Sequence, residues 1–493
     1  MKTDGRTILA IDQGTTSSRA ILFSAQGDVL DVQQKELKLY YPHKGWVEQN
    51  PDDIWNDTLE CGTKILENID DVPVSIGITN QRETTILWDR NTGEPVYNAI
   101  VWQDRRTAEY CADLKAKGHE DLVTDKTGLL LDPYFSATKI AWILDNVEGV
   151  RARAEAGEIA FGTVDCFLLW RLTGGKSHAT DATNASRTLL YNVCSQEWDK
   201  ELLSLFNIPE NILPDVKDNV ADFGAVDEGL FGTKISVGGM AGDQQAALIG
   251  QGCFKPGMIK STYGTGCFAL MNIGETFERS DNRLLTTIAY RIDNVVYYAV
   301  EGSIFVAGAA VQWLRDSMGV VENAADTEGL ARSVDDNNEV YFVPAFTGLG
   351  APYWDPDARG LICGLSREST KAHVVRAALE AQAYQTLDLI GAMEEDGGFS
   401  ASVLRIDGGL AKNEFVCQFL ADMLDRPIEV PKVVETTAWG AAVLAGVHAG
   451  VFDSVEDASS EWKAERSYSP SMDEGERDAF YNGWKNAVKM LQQ

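Results

Sequence analysis

Asp12-Gln13-Gly14-Thr15-Thr16-Ser17 follows the apolar run Thr7–Ile11 and precedes a second, Ala20–Phe23, and its reading decides the fold. Gly14 removes the side chain that would hold a phosphate away from backbone N–H groups. Thr15, Thr16 and Ser17 add hydroxyl donors, and Arg19 adds a permanent cation. Asp12, at the strand end, suits Mg²⁺, a hard cation that takes one or two carboxylates and keeps several waters. Alone, the segment also reads as a hairpin turn with solvated hydroxyls. A second segment of the same make, Tyr263-Gly264-Thr265-Gly266, follows the run Ile259–Thr262. Two such strand–turn–strand units facing each other across a cleft form a two-sided phosphate clamp.

Working outward, further β-rich runs at Val74–Thr79, Val295–Val300, Val340–Val343 and Val403–Ile406 alternate with amphipathic helical stretches, an α/β pattern. One helix opens at Asn50-Pro51, a cap residue with proline in the first turn, and carries Ile54, Trp55, Leu59, Ile65 and Leu66. Another sets Val374, Ala377, Ala381, Tyr384 and Leu387 on one face. The chain has 493 residues, more than one hydrophobic core serves, and the repeated turn places the division at residues 1–248 and 249–493.

Composition excludes several classes. Against 43 Lys plus Arg stand 74 Asp plus Glu, a net charge of −31 that repels nucleic acid and anionic membrane surfaces. The eight cysteines have no Cys-x-x-Cys pair and no companion His at zinc spacing, so they read as reduced thiols. Neither the brief run Ile8–Ile11 nor Ile304–Val311 approaches a signal sequence or the ~20 apolar residues of a spanning helix. A cytoplasmic protein with no integral membrane segment is expected.

Three further segments carry chemistry. Ile406-Asp407-Gly408-Gly409-Leu410 ends a strand ahead of a helix beginning near Asn413, where the adenosine end of a nucleotide could approach bare backbone; a strand-to-helix turn needing glycine is the plainer reading. Trp439-Gly440-Ala441-Ala442 supplies small residues for close helix packing. Asn80-Gln81-Arg82-Glu83 puts a cation beside an anion at a strand end, where two neighbouring hydroxyls of a polyol could be met by charge-assisted hydrogen bonds; alone it also reads as an ordinary ion pair. Trp102, Tyr134 and Phe268 could cover a carbon chain or simply be core. Asp243, in Gly242-Asp243-Gln244-Gln245, ends another strand and is the natural base for phosphoryl transfer to an alcohol.

The glycine segments in this order resemble the actin-like ATPase superfamily, and there is no Gly-x-x-x-x-Gly-Lys-Ser/Thr sequence or protein-kinase signature. With Gly77–Thr85, Asp132-Pro133-Tyr134-Phe135-Ser136, Ala241–Gln245 and Pro344–Trp354 added, the chain resembles the FGGY carbohydrate kinases, and within them those that phosphorylate glycerol. The resemblance implies two actin-like (ribonuclease H-like) α/β domains flanking a nucleotide and substrate cleft. It implies a transferase that converts glycerol and ATP, with Mg²⁺, to sn-glycerol 3-phosphate, the first step of glycerol catabolism. Arg82, Glu83, Tyr134, Asp243 and Gln244 are implied to hold glycerol, with Trp102 and Phe268 as its apolar wall. ATP contacts are implied for Thr15, Thr16, Ser17, Arg19, Thr265, Gly308, Gln312 and the segment Gly409, Leu410 to Asn413. Relatives form homodimers or homotetramers, but no interface signature decides between them here.

Departures from the family pattern are local. Asn413 is followed by Glu414 where the family has a second asparagine. Relatives inhibited by fructose 1,6-bisphosphate carry a glycine-rich basic loop; the matching stretch here is Glu228-Gly229-Leu230-Phe231-Gly232-Thr233-Lys234, and the histidine that some relatives phosphorylate is missing. Pro470–Glu476 only partly resembles the segment that docks a sugar-transport regulator. Two rival readings are a kinase of a pentulose or sugar acid, which needs a differently lined pocket, and a chaperone or filament ATPase, which needs no acceptor base.

Overall fold

Thr7–Gln13 (β1), Ser17–Ser24 (β2) and Val29–Glu36 (β3) form an antiparallel meander, and Ile76–Asn80 (β4) and Val237–Gly242 (β5) extend it in parallel, giving the order β3-β2-β1-β4-β5. The computed structural model describes residues 5–432, 435–459 and 462–491. A second sheet repeats this plan. Met258–Tyr263 (β6), Cys267–Gly274 (β7), Leu285–Ile292 (β8), Val295–Ile304 (β9), Val403–Gly408 (β10), Ile428–Pro431 (β11) and Ala464–Tyr468 (β12) lie in the order β8-β9-β7-β6-β10-β11-β12. The two turn segments read from the sequence are the β1–β2 and β6–β7 connections. The run Val340–Val343 contributes only Tyr341–Val343, paired with Leu361–Cys363 outside both large sheets.

Helices Pro51–Glu67 (α1), Ser136–Asn146 (α2), Asp243–Gly250 (α3), Gly308–Asp316 (α4), Lys371–Gly397 (α5), Glu414–Leu424 (α6) and Thr436–His448 (α7) matter for the site. The Asn50 side chain accepts from the Asp52 amide at 3.0 Å, as the cap reading requires. On α5, Ala381 and Tyr384 are buried in the second unit's main core and Ala377 in a smaller cluster with Val306 and Phe342. No helix of the described residues is long and apolar enough to cross a membrane.

Helices α3 and α7 lie between the two sheets, and both join a core cluster with Ile8, Ala10, Ile21 and Phe23 of the first and Leu270, Ala289 and Ala299 of the second. Helix α7, from the far half of the chain, thus packs on the first sheet. Its approach to α3 and to the sheet depends on glycine: a Cβ at Gly440 would sit 1.8 Å from the Ala246 carbonyl oxygen on α3, and one at Gly77 on β4 would sit 2.0 Å from the carbonyl oxygen of Ala441. The small residues at 440–442 therefore serve helix packing, as their sequence suggests.

Candidate functional site

Strand register collects the candidate residues. Gln13 of β1 is level with Asn80 of β4, and Asn80 with Gly242 of β5. The three parallel strands end in one row, and the next residues of each are Gly14, Gln81-Arg82-Glu83 and Asp243. This is the carboxyl edge at which open α/β sheets place ligands. In the second sheet Tyr263 is level with Gly408, so Gly264-Thr265 and Gly409 emerge together.

The first turn closes on a 2.9 Å bond from the Gly14 amide to the Ser17 carbonyl, leaving Thr16 exposed and Thr15 and Ser17 partly so. Trp102 Nε1 donates to Thr15 Oγ1 at 2.9 Å, which ties the proposed substrate wall to the phosphate turn. Beneath the turn, Gln81 Nε2 donates to Gln13 Oε1 and Gln49 Oε1 at 3.0 and 2.8 Å. Around the second turn, the amides of Ala307 and Gly308 bond to the carbonyls of Thr265 and Gly264 at 2.9 and 3.0 Å. The start of α4 is thereby fixed against the exposed turn, and Gln312 is exposed one turn further along. Gly409 is exposed and Leu410 buried, while Asn413 caps α6 by accepting from the Val416 amide at 3.1 Å.

Arg19 is engaged with carboxylates: its guanidinium contacts Asp12 and, at 2.6 Å, Glu435 just before α7. Next to Glu435, Thr436 Oγ1 donates to Asp407 Oδ2 at 2.6 Å, and Gln251 Nε2 to the same oxygen at 2.9 Å. A polar chain thus runs from the first turn to the Asp407-Gly408-Gly409 segment. Burial pushes the Asp12 carboxyl up, Arg19 acts against that rise, and Asp243 is near enough to add to it. Among the described residues no group of three or more His, Cys, Asp or Glu side chains is arranged for a metal. Mg²⁺ needs fewer, and a desolvated Asp12 close to Asp243 fits such an ion completed by water and phosphate oxygens.

Arg82 and Glu83 form a different arrangement from two adjacent residues gripping a polyol by themselves. Arg82 Nη1 and Nη2 reach Glu301 Oε2 and Oε1 at 2.6 and 2.9 Å, while Glu83 Oε1 accepts from Arg187 Nε at 2.5 Å. Arg187 Nη2 also reaches Glu301 Oε1 at 3.1 Å, closing a quartet of two cations and two anions, each 3% exposed or less. Burial pushes the Glu301 carboxyl up, but Arg187 and Arg82 together hold it at about 2. Glu83 is raised by burial against a close Arg187 and an Arg82 at 3.8 Å.

Arg82 Nε points to Asp243 Oδ1 at 3.3 Å, and the Gln244 amide donates to that oxygen at 2.7 Å. Both contacts fall on Oδ1, and among the described residues no hydrogen bond reaches Oδ2. Tyr134 packs edge-on to Trp102 with ring centroids 5.4 Å apart. Its segment is held by Ser136 Oγ bonding to the Glu83 carbonyl at 3.1 Å, and by the Lys139 ammonium bonding to the Tyr134 and Phe135 carbonyls. Burial brings Lys139 down to about 8. Phe268, level with Thr262 in the second sheet, is half-buried.

Sequence reasoning missed Arg187, Glu301, Lys139, Lys260 and Glu435, and gave no role to Gln245, whose Oε1 accepts from Arg82 Nη1 at 3.1 Å. Glu301 and Lys260 left a signal, each a lone charge inside an apolar strand run. Arg187 and Glu435 left none.

Two sheets built on one five-strand plan, each with a glycine-threonine turn at a strand connection, define a two-domain α/β kinase fold. The N-terminal domain pattern of the FGGY family of carbohydrate kinases matches residues 7–250, and the C-terminal domain pattern residues 259–449. The chain belongs to the FGGY family of carbohydrate kinases. It is 66% identical over 487 residues to a glycerol kinase of Nitrosomonas eutropha, covering 98% of each chain. A glycerol kinase of Rhodospirillum centenum is 59% identical, with 98% of this chain and 97% of that one covered. The crystal structure of Plasmodium falciparum glycerol kinase with ADP superposes with a TM-score of 0.95 at 36% identity, covering 99% and 98% of the two chains.

Proposed function

We propose that the chain is an ATP-dependent glycerol kinase, transferring the γ-phosphoryl group to a primary hydroxyl of glycerol to give sn-glycerol 3-phosphate and ADP. The carrying observation is the Asp243 carboxylate, held on Oδ1 by Arg82 and the Gln244 amide and without a hydrogen bond on Oδ2 among the described residues, in the same row as the first turn. The high identity to relatives named glycerol kinase supports the choice of acceptor. We assign residues 1–248 to the acceptor and first phosphate turn, 249–493 to the second turn and adenosine, and the cytoplasm as the setting.

In this reading Arg82 and Gln244 donate to glycerol hydroxyls, Glu83 and Asp243 accept from them, and Trp102, Tyr134 and Phe268 cover the carbon chain. Asp243 Oδ2 takes the proton as the hydroxyl oxygen attacks phosphorus and the bond to the ADP oxygen breaks. Thr15, Thr16, Ser17 and Thr265, with Gly308 and Gln312, orient the phosphates, and Gly409, Leu410 and Asn413 receive the adenosine. Arg19 holds Asp12 in place. Mg²⁺, when bound beside Asp12, neutralises phosphate charge.

A coupled assay of ADP release across glycerol, xylulose, ribulose and gluconate tests this. Glycerol should be preferred, with little release in the absence of acceptor. Equal rates without acceptor, or a pentulose or gluconate turned over faster, would overturn it.

A further inference from the structure

Lys260 lies on β6 of the second sheet and is fully buried. The charged and titratable groups around it are Asp407, Asp243, Cys267 and Arg82, with Glu301 also within electrostatic reach. Asp407 Oδ2 already accepts from Gln251 and Thr436. The ammonium of Lys260 donates instead to Oε1 of Gln244, the residue after Asp243 on α3. A buried lysine bonded to a neutral amide is an expensive arrangement, and burial accordingly drives Lys260 below its ordinary value.

We infer that Lys260 is a positioning residue of the polyol pocket, fixing the Gln244 carboxamide so that its two N–H donors, and not its oxygen, are presented to the substrate. An ammonium has three donors and no acceptor, so only the amide oxygen can face it. Rotating the carboxamide by half a turn would set N–H against N–H in a buried place. Among the described residues nothing accepts from Gln244 Nε2, and Gln244 is only half-buried, so both hydrogens remain for a ligand. The consequence is a rule of specificity: at Gln244 the pocket offers a donor and selects an oxygen with a free lone pair, while Glu83 and Asp243 supply acceptors. The bond also crosses from the second sheet to the helix that carries the base, so the donor is set only when the two sheets are correctly apposed.

This inference rests on the polyol-kinase reading above, and wild-type turnover is measured first so that the two can fail separately. Lys260→Met keeps the unbranched stem and removes the ammonium. The glycerol KM should rise about tenfold or more, the loss expected for one oriented hydrogen bond to substrate, while the ATP KM stays within about twofold. Lys260→Arg, which restores a cationic donor, should recover much of the lost affinity. Gln244→Glu keeps a partner for Lys260 but has no N–H to offer, so it should raise the glycerol KM by a similar factor; it decides the matter if Lys260→Met does not fold. In the double variant Lys260→Met, Gln244→Glu, the glycerol KM should rise by less than the product of the two single effects. An unchanged glycerol KM in Gln244→Glu, or equal rises in glycerol and ATP KM in Lys260→Met together with a lower melting temperature, would overturn the assignment. If the wild type prefers another polyol, the glycerol reading fails and the same comparisons are made on that polyol.

Discussion

Arg82 and Glu301, 219 positions apart in the chain, meet in a two-pronged ion pair that joins the carboxyl edge of the first sheet to β9 of the second. Arg82 is thereby anchored at both Nη atoms while its Nε addresses Asp243. Glu301 also receives Arg187, so a single carboxylate balances two guanidinium groups and Glu83 the remainder.

Glu301→Gln should therefore leave an excess positive charge in a buried site. Removing one partner from such a pair costs about 3–5 kcal/mol, so the melting temperature should fall clearly and the glycerol KM should rise as Arg82 loses its anchor. The sign with pH follows from a folded value of about 2 against an ordinary 4.5. This carboxylate's contribution is full above pH 4.5 and is lost as pH falls toward 2, so the stability gap between wild type and variant should be widest near neutrality and narrow in acid. A gap independent of pH would show that Glu301 does not act through its charge.

What the sequence made legible follows from what repeats or caps locally. The two glycine-threonine turns form strand connections and Asn50-Pro51 a capped helix start, all set by residues close in sequence, while the small residues at 439–442 read as a packing stretch although their partners Gly77 and Ala246 are distant. The site charges are another matter. Arg82-Glu83 reads as a self-sufficient pair because its neighbours are adjacent in sequence, whereas each residue is paired with a partner from a distant segment. Arg19 reads as a phosphate cation from its chain neighbours alone, while its pairing with Glu435, 416 positions away, shows only in the fold. Buried ion networks are satisfied by tertiary contacts, which have no period and no fixed spacing.

Asp165 offers a second pH test. It is fully buried, accepts from Thr180 Oγ1 at 2.6 Å and Asn80 Nδ2 at 3.3 Å, and is raised by burial and by Asp181 to about 7. A raised acid gives stability that is full below its ordinary 3.8 and is lost as pH rises through about 7. Asp165→Asn has no such titration, so the variant should gain on wild type between pH 5 and pH 9 by an amount on the order of 1–4 kcal/mol. Urea melts at the two pH values measure it. Parallel pH dependence in both proteins would contradict the buried ionisation.

Fructose 1,6-bisphosphate should inhibit weakly or not at all. The segment that matches the effector loop of some relatives begins as a single helical turn, Glu228–Phe231, and Leu230 and Phe231 pack against the first core rather than offering donors. Nearby, Lys176 is paired with Asp227 at 3.0 Å and Lys217 donates to the Asp222 carbonyl at 2.6 Å, which leaves Lys234 as a point charge. Strong inhibition at sub-millimolar concentration that disappears on replacing Lys234 would refute this.

Asp243→Asn isolates proton transfer from packing. Asn keeps the shape and can still accept the Gln244 amide on its remaining oxygen, the contact made at 2.7 Å in the native side chain, so the start of α3 should hold. What disappears is the basic oxygen. General-base catalysis contributes typically ~10²–10⁴-fold, about 3–5 kcal/mol of barrier, so kcat should fall by at least ~10²-fold. The glycerol KM should change far less, because Arg82 stays anchored to Glu301 and Glu83 to Arg187, and in the proposed pocket both still serve the hydroxyls. If Asp243 only braced the strand-to-helix turn, Asn would serve nearly as well, and any lost activity would be matched by lost stability. Steady-state kinetics with a melting curve on the same preparation separate the two: a well-folded variant that retains more than about a tenth of wild-type turnover would rule out the base.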